Sequence, residues 1–131
     1  MATKIVKSNS SIKEVATYYP DGTIQSVYFI KNEKKQGVMK KWDEQGRLIY
    51  EGCFNEGLQE GLHREFYANE QLYTEKNYKN SLLSGVSREW YCTGEIKSKE
   101  RYVKGKLHGK QCYWTKEGKG TSVAVHQAAF M

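Results

Sequence analysis

Three histidines, three cysteines and a few adjacent carboxylates are the residues of this chain that could carry catalysis or hold a metal. His63, His108 and His126 stand at unrelated spacings, with no HxxxH or HExxH pair to bring two ligands onto one ion. They read as surface residues, and the order Leu107-His108-Gly109 puts His108 where a turn meets a strand. Cys53, Cys92 and Cys112 form no CxxC pair and are odd in number, so they are expected as reduced thiols in a cytoplasmic protein. A nucleophilic thiol needs a lowered pKa, and only Cys112 has a cation close by in sequence, Lys110. A cysteine on a strand is ordinarily a small packing residue. The acids Asp43-Glu44 and Glu56 with Glu60 fall in predicted turns, where nothing would bury them or raise a pKa. Gly57 and Gly61 lack the strand-to-helix setting of a phosphate loop. No catalytic residue, cofactor or metal is therefore expected, and the chain reads as a protein other than an enzyme.

The elements that would position these residues are set by a repeat. An aromatic residue returns every 24 positions, at Tyr18, Trp42, Phe66, Trp90 and Trp114. Four positions later come Gly22, Gly46, Glu70, Gly94 and Gly118, and nineteen positions later Gly37, Gly61, Gly85 and Gly109. A large apolar residue fills position twelve: Ile30, Phe54, Tyr78 or Tyr102. Ten tyrosines and a single proline favour half-buried strands joined by tight turns over helices. Each unit thus reads as a hairpin, for example Ile96 to Val103 and Lys110 to Trp114 about the turn Lys104-Gly105-Lys106. Short links make consecutive hairpins antiparallel neighbours. The expected fold is all-β, one elongated, twisted antiparallel meander of hairpins. Residues 1–17 form an N-terminal capping segment with strands around Ser8 to Ser11, residues 18–118 hold four units and the start of a fifth, and residues 119–131 form a tail that folds back over aromatic side chains or binds a partner.

The stretch Glu51-Gly52-Cys53-Phe54-Asn55-Glu56-Gly57-Leu58-Gln59-Glu60-Gly61, preceded by Tyr50, closely resembles a MORN repeat, whose signature is Tyr-Glu-Gly-x-Trp/Phe-x-x-Gly-x-x-x-Gly. The longer units opening at Tyr18 to Gly22 and at Trp90 to Gly94 resemble the bacterial variant, found in proteins classed as antitoxin-like. The resemblance covers about residues 18–118. It departs at Glu33, Ser81 and Glu70, where glycine is usual, so looser turns or turns of another type are expected there. It implies recognition or scaffolding, with no catalytic residue to carry over.

Charge singles out one end of the array. Residues 97–119 hold eight basic residues against two acidic ones, a surplus equal to the +6 of the whole chain. Lys97, Lys99 and Arg101 alternate along a predicted strand and so are expected to share one face. Three readings stay open for this stripe: a solvated face protecting the sheet edge, a dock for an acidic protein, or phosphate contact with nucleic acid or anionic lipid. The expectation is a protein-binding module, antitoxin-like, immunity-like or inhibitory. Its contacts would be Lys97, Lys99, Arg101, Lys104, Lys106 and Lys110, with Tyr73 and Tyr91 in support. Lipid or nucleic-acid binding and end-to-end scaffolding are the alternatives. The opening MATKIVKSNSS lacks the apolar run of a signal peptide, and no stretch approaches the ~18 apolar residues of a membrane span, so a soluble cytoplasmic protein is expected.

Overall fold

Strands of six to eight residues, with four two-residue strands beside them and positive-φ turns within and between the repeat units, build the described chain. The structure, a computed structural model, describes residues 2–8 and 11–125. Its strands are β1 (Ala2–Ser8), β2 (Ile12–Tyr18), β3 (Ile24–Lys31), β4 (Lys34–Lys35), β5 (Gly37–Trp42), β6 (Leu48–Asn55), β7 (Leu58–Gln59), β8 (Gly61–Phe66), β9 (Leu72–Lys79), β10 (Leu82–Leu83), β11 (Gly85–Trp90), β12 (Ile96–Val103), β13 (Lys106–Leu107), β14 (Gly109–Trp114) and β15 (Gly120–Val125). They make a single open antiparallel sheet in the order β1-β2-β3-β5-β6-β8-β9-β11-β12-β14-β15, with the two-residue strands pairing beside β3, β6, β9 and β12. Eleven strands in one row span roughly 50 Å at the usual inter-strand spacing.

Three strands flank the repeat units. β1 and β2 pair as a hairpin that joins the sheet through β3. Gly120–Val125 runs beside β14 as the last strand, so this part of the tail extends the sheet instead of folding back over aromatic rings. It covers backbone groups of β14 that an edge would leave unpaired. Gly120 suits the position, because a Cβ there would sit 2.8 Å from Trp114 Cδ1. His126 to Met131 lie outside the described residues.

The inner turns are alike whether or not they contain glycine, which corrects the expectation of looser or different turns. Asn32 and Glu33 take φ of 51° and 65°, Asn80 and Ser81 the same, against 49° and 84° for Glu56 and Gly57. Pairing on both sides imposes this left-handed geometry, and asparagine at the first position tolerates it. The second turn residue is also held by the preceding unit: Gly57 N donates to Lys35 O, Ser81 N to Gln59 O and Gly105 N to Leu83 O, at 2.8–3.0 Å. At the opposite margin, tyrosine hydroxyls staple successive units. Tyr19 donates to Trp42 O, Tyr67 to Trp90 O and Tyr91 to Trp114 O, each at 2.7 Å. In the second unit Asp43 takes that place and binds Arg47 instead, at 2.8 Å.

Among the described residues, only Val15, Ala16 and Met39 are buried apolar side chains; Ser26, His63, Thr74, Ser87, Ser98 and Gln111 are buried polar ones. The centre of one face, the aromatic face, is built on His63. Its ring lies 5.3 Å from Phe54 and 5.1 Å from Tyr78, both edge-on. Nε2 stands 2.8 Å from Cys53 O, which can only accept, so Nε2 carries the proton and Nδ1 accepts from the Tyr50 hydroxyl at 2.6 Å. The expectation of a surface histidine is thus corrected: His63 is 4% exposed. Gly52 makes room for it, since a Cβ there would run into His63 Nδ1 and the Tyr50 hydroxyl.

Two consequences are measurable. Glu70 holds φ of 70° in an outer turn, so Glu70→Gly is expected to stabilise the fold by about 0.5–1 kcal/mol, the left-handed strain removed less the added freedom of the unfolded chain; urea denaturation checks it. Burial holds the His63 pKa below its ordinary 6.5. The unfolded chain therefore binds the proton more readily, so this contribution is complete above about pH 6.5 and is lost as pH falls from there through the lowered folded value. The urea midpoint should drop across that window, and His63→Gln should flatten the drop.

Candidate functional site

The face opposite His63 carries a row of charges, one from each successive strand. Lys40 of β5 stands opposite Glu51 of β6, Glu51 opposite Arg64 of β8, Arg64 opposite Glu75 of β9, and Glu75 opposite Arg88 of β11. Arg64 Nε reaches Glu75 Oε2 at 2.8 Å and its Nη1 reaches Glu51 Oε1 at 3.4 Å, while Arg88 Nη1 lies 3.6 Å from Glu75 Oε1. The Glu75 hydrogen bond is the first cause of the raised Arg64 pKa. Signs alternate as cross-strand pairing favours. The alternation fails at the next step, where Arg88 stands opposite Lys99 of β12 and Lys99 opposite Cys112 of β14.

Of the residues expected to form the contact surface, Lys99 and Arg101 share this face with Arg88. Lys110 follows on β14, exposed and opposite Ala124. Lys104 takes φ of 49° in the inner turn, and Lys106 pairs with Val103; both are exposed at that margin. Lys97 does not join the stripe. A register shift places Trp90 opposite Ile96 but Glu89 opposite Ser98, so Lys97 is the extra residue of a bulge. Its ammonium lies 3.6 Å from Glu89, on the face of buried Ser98, and 5.7 Å from the Tyr91 ring. Nor do these lysines guard the sheet edge, because the outermost strand is the uncharged β15.

The two tyrosines have structural employment. Tyr91 gives its hydroxyl to Trp114 O and its ring to Lys97 and Lys116. Tyr73 packs on Tyr67 with ring centres 4.7 Å apart. Tyr102 and Tyr113 both donate to Glu100 on the aromatic face, at 2.9 and 2.7 Å. Arg88 and Glu75 were missed in the sequence. The signal was there: Glu51, Glu75 and Lys99 are each 24 residues apart, as are Lys40, Arg64, Arg88 and Cys112, so the fourth unit reverses one sign of the row and drops the other.

Among the described residues no three His, Cys, Asp or Glu side chains gather closely enough to hold a metal ion, and no helix is long and apolar enough to cross a membrane. Residues 35–56 and 59–80 each match the model of the MORN repeat variant, offset by one 24-residue period. These two matches support a MORN repeat protein, and repeats of this kind are associated with binding, to membrane lipids or to proteins. No curated protein matches the chain.

Because Arg88 and Lys99 oppose each other, Lys99→Glu should restore the alternation and stabilise the protein by about 0.2–1 kcal/mol. The gain in the urea midpoint should shrink at high salt, since these side chains are partly exposed.

Proposed function

We propose that the chain is a non-catalytic binding protein that docks an acidic surface of another protein across Arg88, Lys99, Arg101 and Lys110. The observation that carries this reading is the like-charge pair Arg88 and Lys99 at the end of an otherwise alternating row. Two cations directly opposite cost stability that a glutamate at position 99 would recover. A partner carboxylate set between them continues the row outward from the sheet. Glu75 and Glu51 lie further along the same face and would repel a polyphosphate. Tyr102 and Tyr113, which follow Arg101 and Lys110 in sequence, give their hydroxyls to Glu100 on the other face. A nucleic acid held on the stripe would not find them for stacking. The biological role we propose is inhibitory, as in the antitoxin-like proteins that the longer units resemble: the sheet covers a working surface of its partner. The cytoplasm is its proposed place of action, on the strength of three free cysteines in a chain of this size.

A fluorescein-labelled oligoglutamate peptide tests the surface by anisotropy. The wild-type protein should bind it saturably, more weakly as salt rises, and the combined Lys99→Glu, Arg101→Glu and Lys110→Glu variant should bind about tenfold more weakly or worse. Unchanged binding by that variant would remove the assigned surface. If the wild-type protein instead prefers RNA or phosphatidylserine vesicles to the peptide, the partner class is wrong. Copurification from the native cell should yield one stoichiometric protein.

A further inference from the structure

The aromatic face carries a second feature, independent of the basic row behind it. One repeat position is filled by Met39, His63, Ser87 and Gln111 in turn, each 24 residues from the last. Met39 is a buried apolar side chain, and His63 is hydrogen-bonded through both ring nitrogens. Gln111 accepts from Arg101 N at 2.6 Å and donates to His108 O and Gly109 O at 3.0 Å. Ser87 is the smallest of the four and does none of this. It is 7% exposed, and its Oγ has no hydrogen-bond partner. The truncation leaves a groove of about 140 Å³ whose lining includes Glu65, Thr74, Lys76, Ser87, Glu89 and Glu100.

The charge of this groove is unbalanced in the opposite sense to the other face. Three carboxylates, Glu65, Glu89 and Glu100, meet two ammonium groups, Lys76 in the lining and Lys97 against Glu89. Arg88 also borders the groove, but its guanidinium is engaged with Glu75 on the charged face. One negative charge is left over. Glu100 is held by hydroxyls from Tyr102 and Tyr113, one to each oxygen, which leaves a lone pair free on each. Both phenols are pushed up to about 12, Tyr102 first by burial and Tyr113 first by its bond to Glu100, so they remain donors. Glu65 accepts one hydrogen bond, from Thr74 at 3.0 Å. The carboxylates ring the groove without converging, and no three of them gather as metal ligands. Dispersed acceptors, a single surplus negative charge and an unpartnered hydroxyl at the base suit a cation that brings several N–H donors.

We propose that this groove binds a primary ammonium group, with the Glu100 carboxylate as its acceptor, Glu65 at the rim, and Ser87 Oγ, occluded in the empty groove, as a second acceptor once its side chain rotates about χ1. The group comes either from a free amine or from a lysine side chain displayed by a protein, and the two sources are separable. Putrescine and N-acetyl-lysine methylamide are titrated into the labelled protein while the backbone amides of Thr74, Ser87 and Ser98 are followed by NMR, with tetramethylammonium as a cation that lacks N–H donors. Both amines should give saturable shifts at these three residues and tetramethylammonium none. Tighter binding of putrescine assigns the site to free amines, and tighter binding of the blocked lysine assigns it to a protein. Glu100→Gln should weaken either by about tenfold or more. Ser87→Met, which places there the side chain that is buried as Met39 in the first unit, should abolish the shifts while raising Tm by a few degrees. Absence of saturable shifts with both amines into the tens of millimolar, equal shifts with tetramethylammonium, or shifts that survive in a folded Ser87→Met protein would each overturn the proposal.

Discussion

A sheet one layer thick has no second layer to bury its faces against, and that constraint governs everything else in this molecule. A packed domain covers its sheet with helices or another sheet. Among the described residues, those at the centre of each face have only neighbours within the sheet itself. Buried positions are accordingly filled by polar side chains whose partners lie on adjacent strands, such as His63 between Tyr50 and Cys53 O, or Gln111 bridging Arg101, His108 and Gly109. Energy is spread over many modest terms: hydrogen bonds worth about 0.5–1.5 kcal/mol each and cross-strand pairs worth about 0.2–1 kcal/mol. The inner-turn amides and the tyrosine staples belong to the same economy. They tie each hairpin to the next within the row.

This explains what could be read from the sequence and what could not. The period was legible because glycines at Gly37, Gly61, Gly85 and Gly109 answer a backbone requirement, positive φ, that few other residues meet. The location of the surplus charge needed only counting. The face of each charge was harder, because strict alternation assumes an unbroken strand and the bulge at Lys97 shifts one residue across. Turn type at Glu33, Ser81 and Glu70 was misread for a related reason. Local preference argues for glycine there, but pairing of the flanking strands overrides it. The burial of His63 depends on Gly52, eleven positions earlier, and only strand register shows that the two residues share a site. Arg88 and Glu75 become significant only through their neighbours in the row.

The fourth unit departs from the pattern of its neighbours on both faces at once. Lys99 and Glu100 are adjacent in β12 and therefore project to opposite sides. Lys99 breaks the alternation of the charged face, while Glu100 completes the acidic groove of the aromatic face beside the truncated Ser87. A repeat protein can change one unit without disturbing the fold, since each unit depends on its immediate neighbours. Both candidate sites lie where the third and fourth units meet.

The staples along the outer margin have a mechanical consequence. Inner-turn hydrogen bonds join each successive pair among the four full units, but the tyrosine bond at the other margin is replaced by Asp43 between the second unit and the third. The sheet therefore resembles a fan pinned along its whole handle and, along its rim, everywhere but one rib. The rim is unpinned at that rib: Arg88, Lys99, Arg101, Lys110 and most of the acidic groove lie beyond it, while Glu65, at the edge of the groove, stands on the near side.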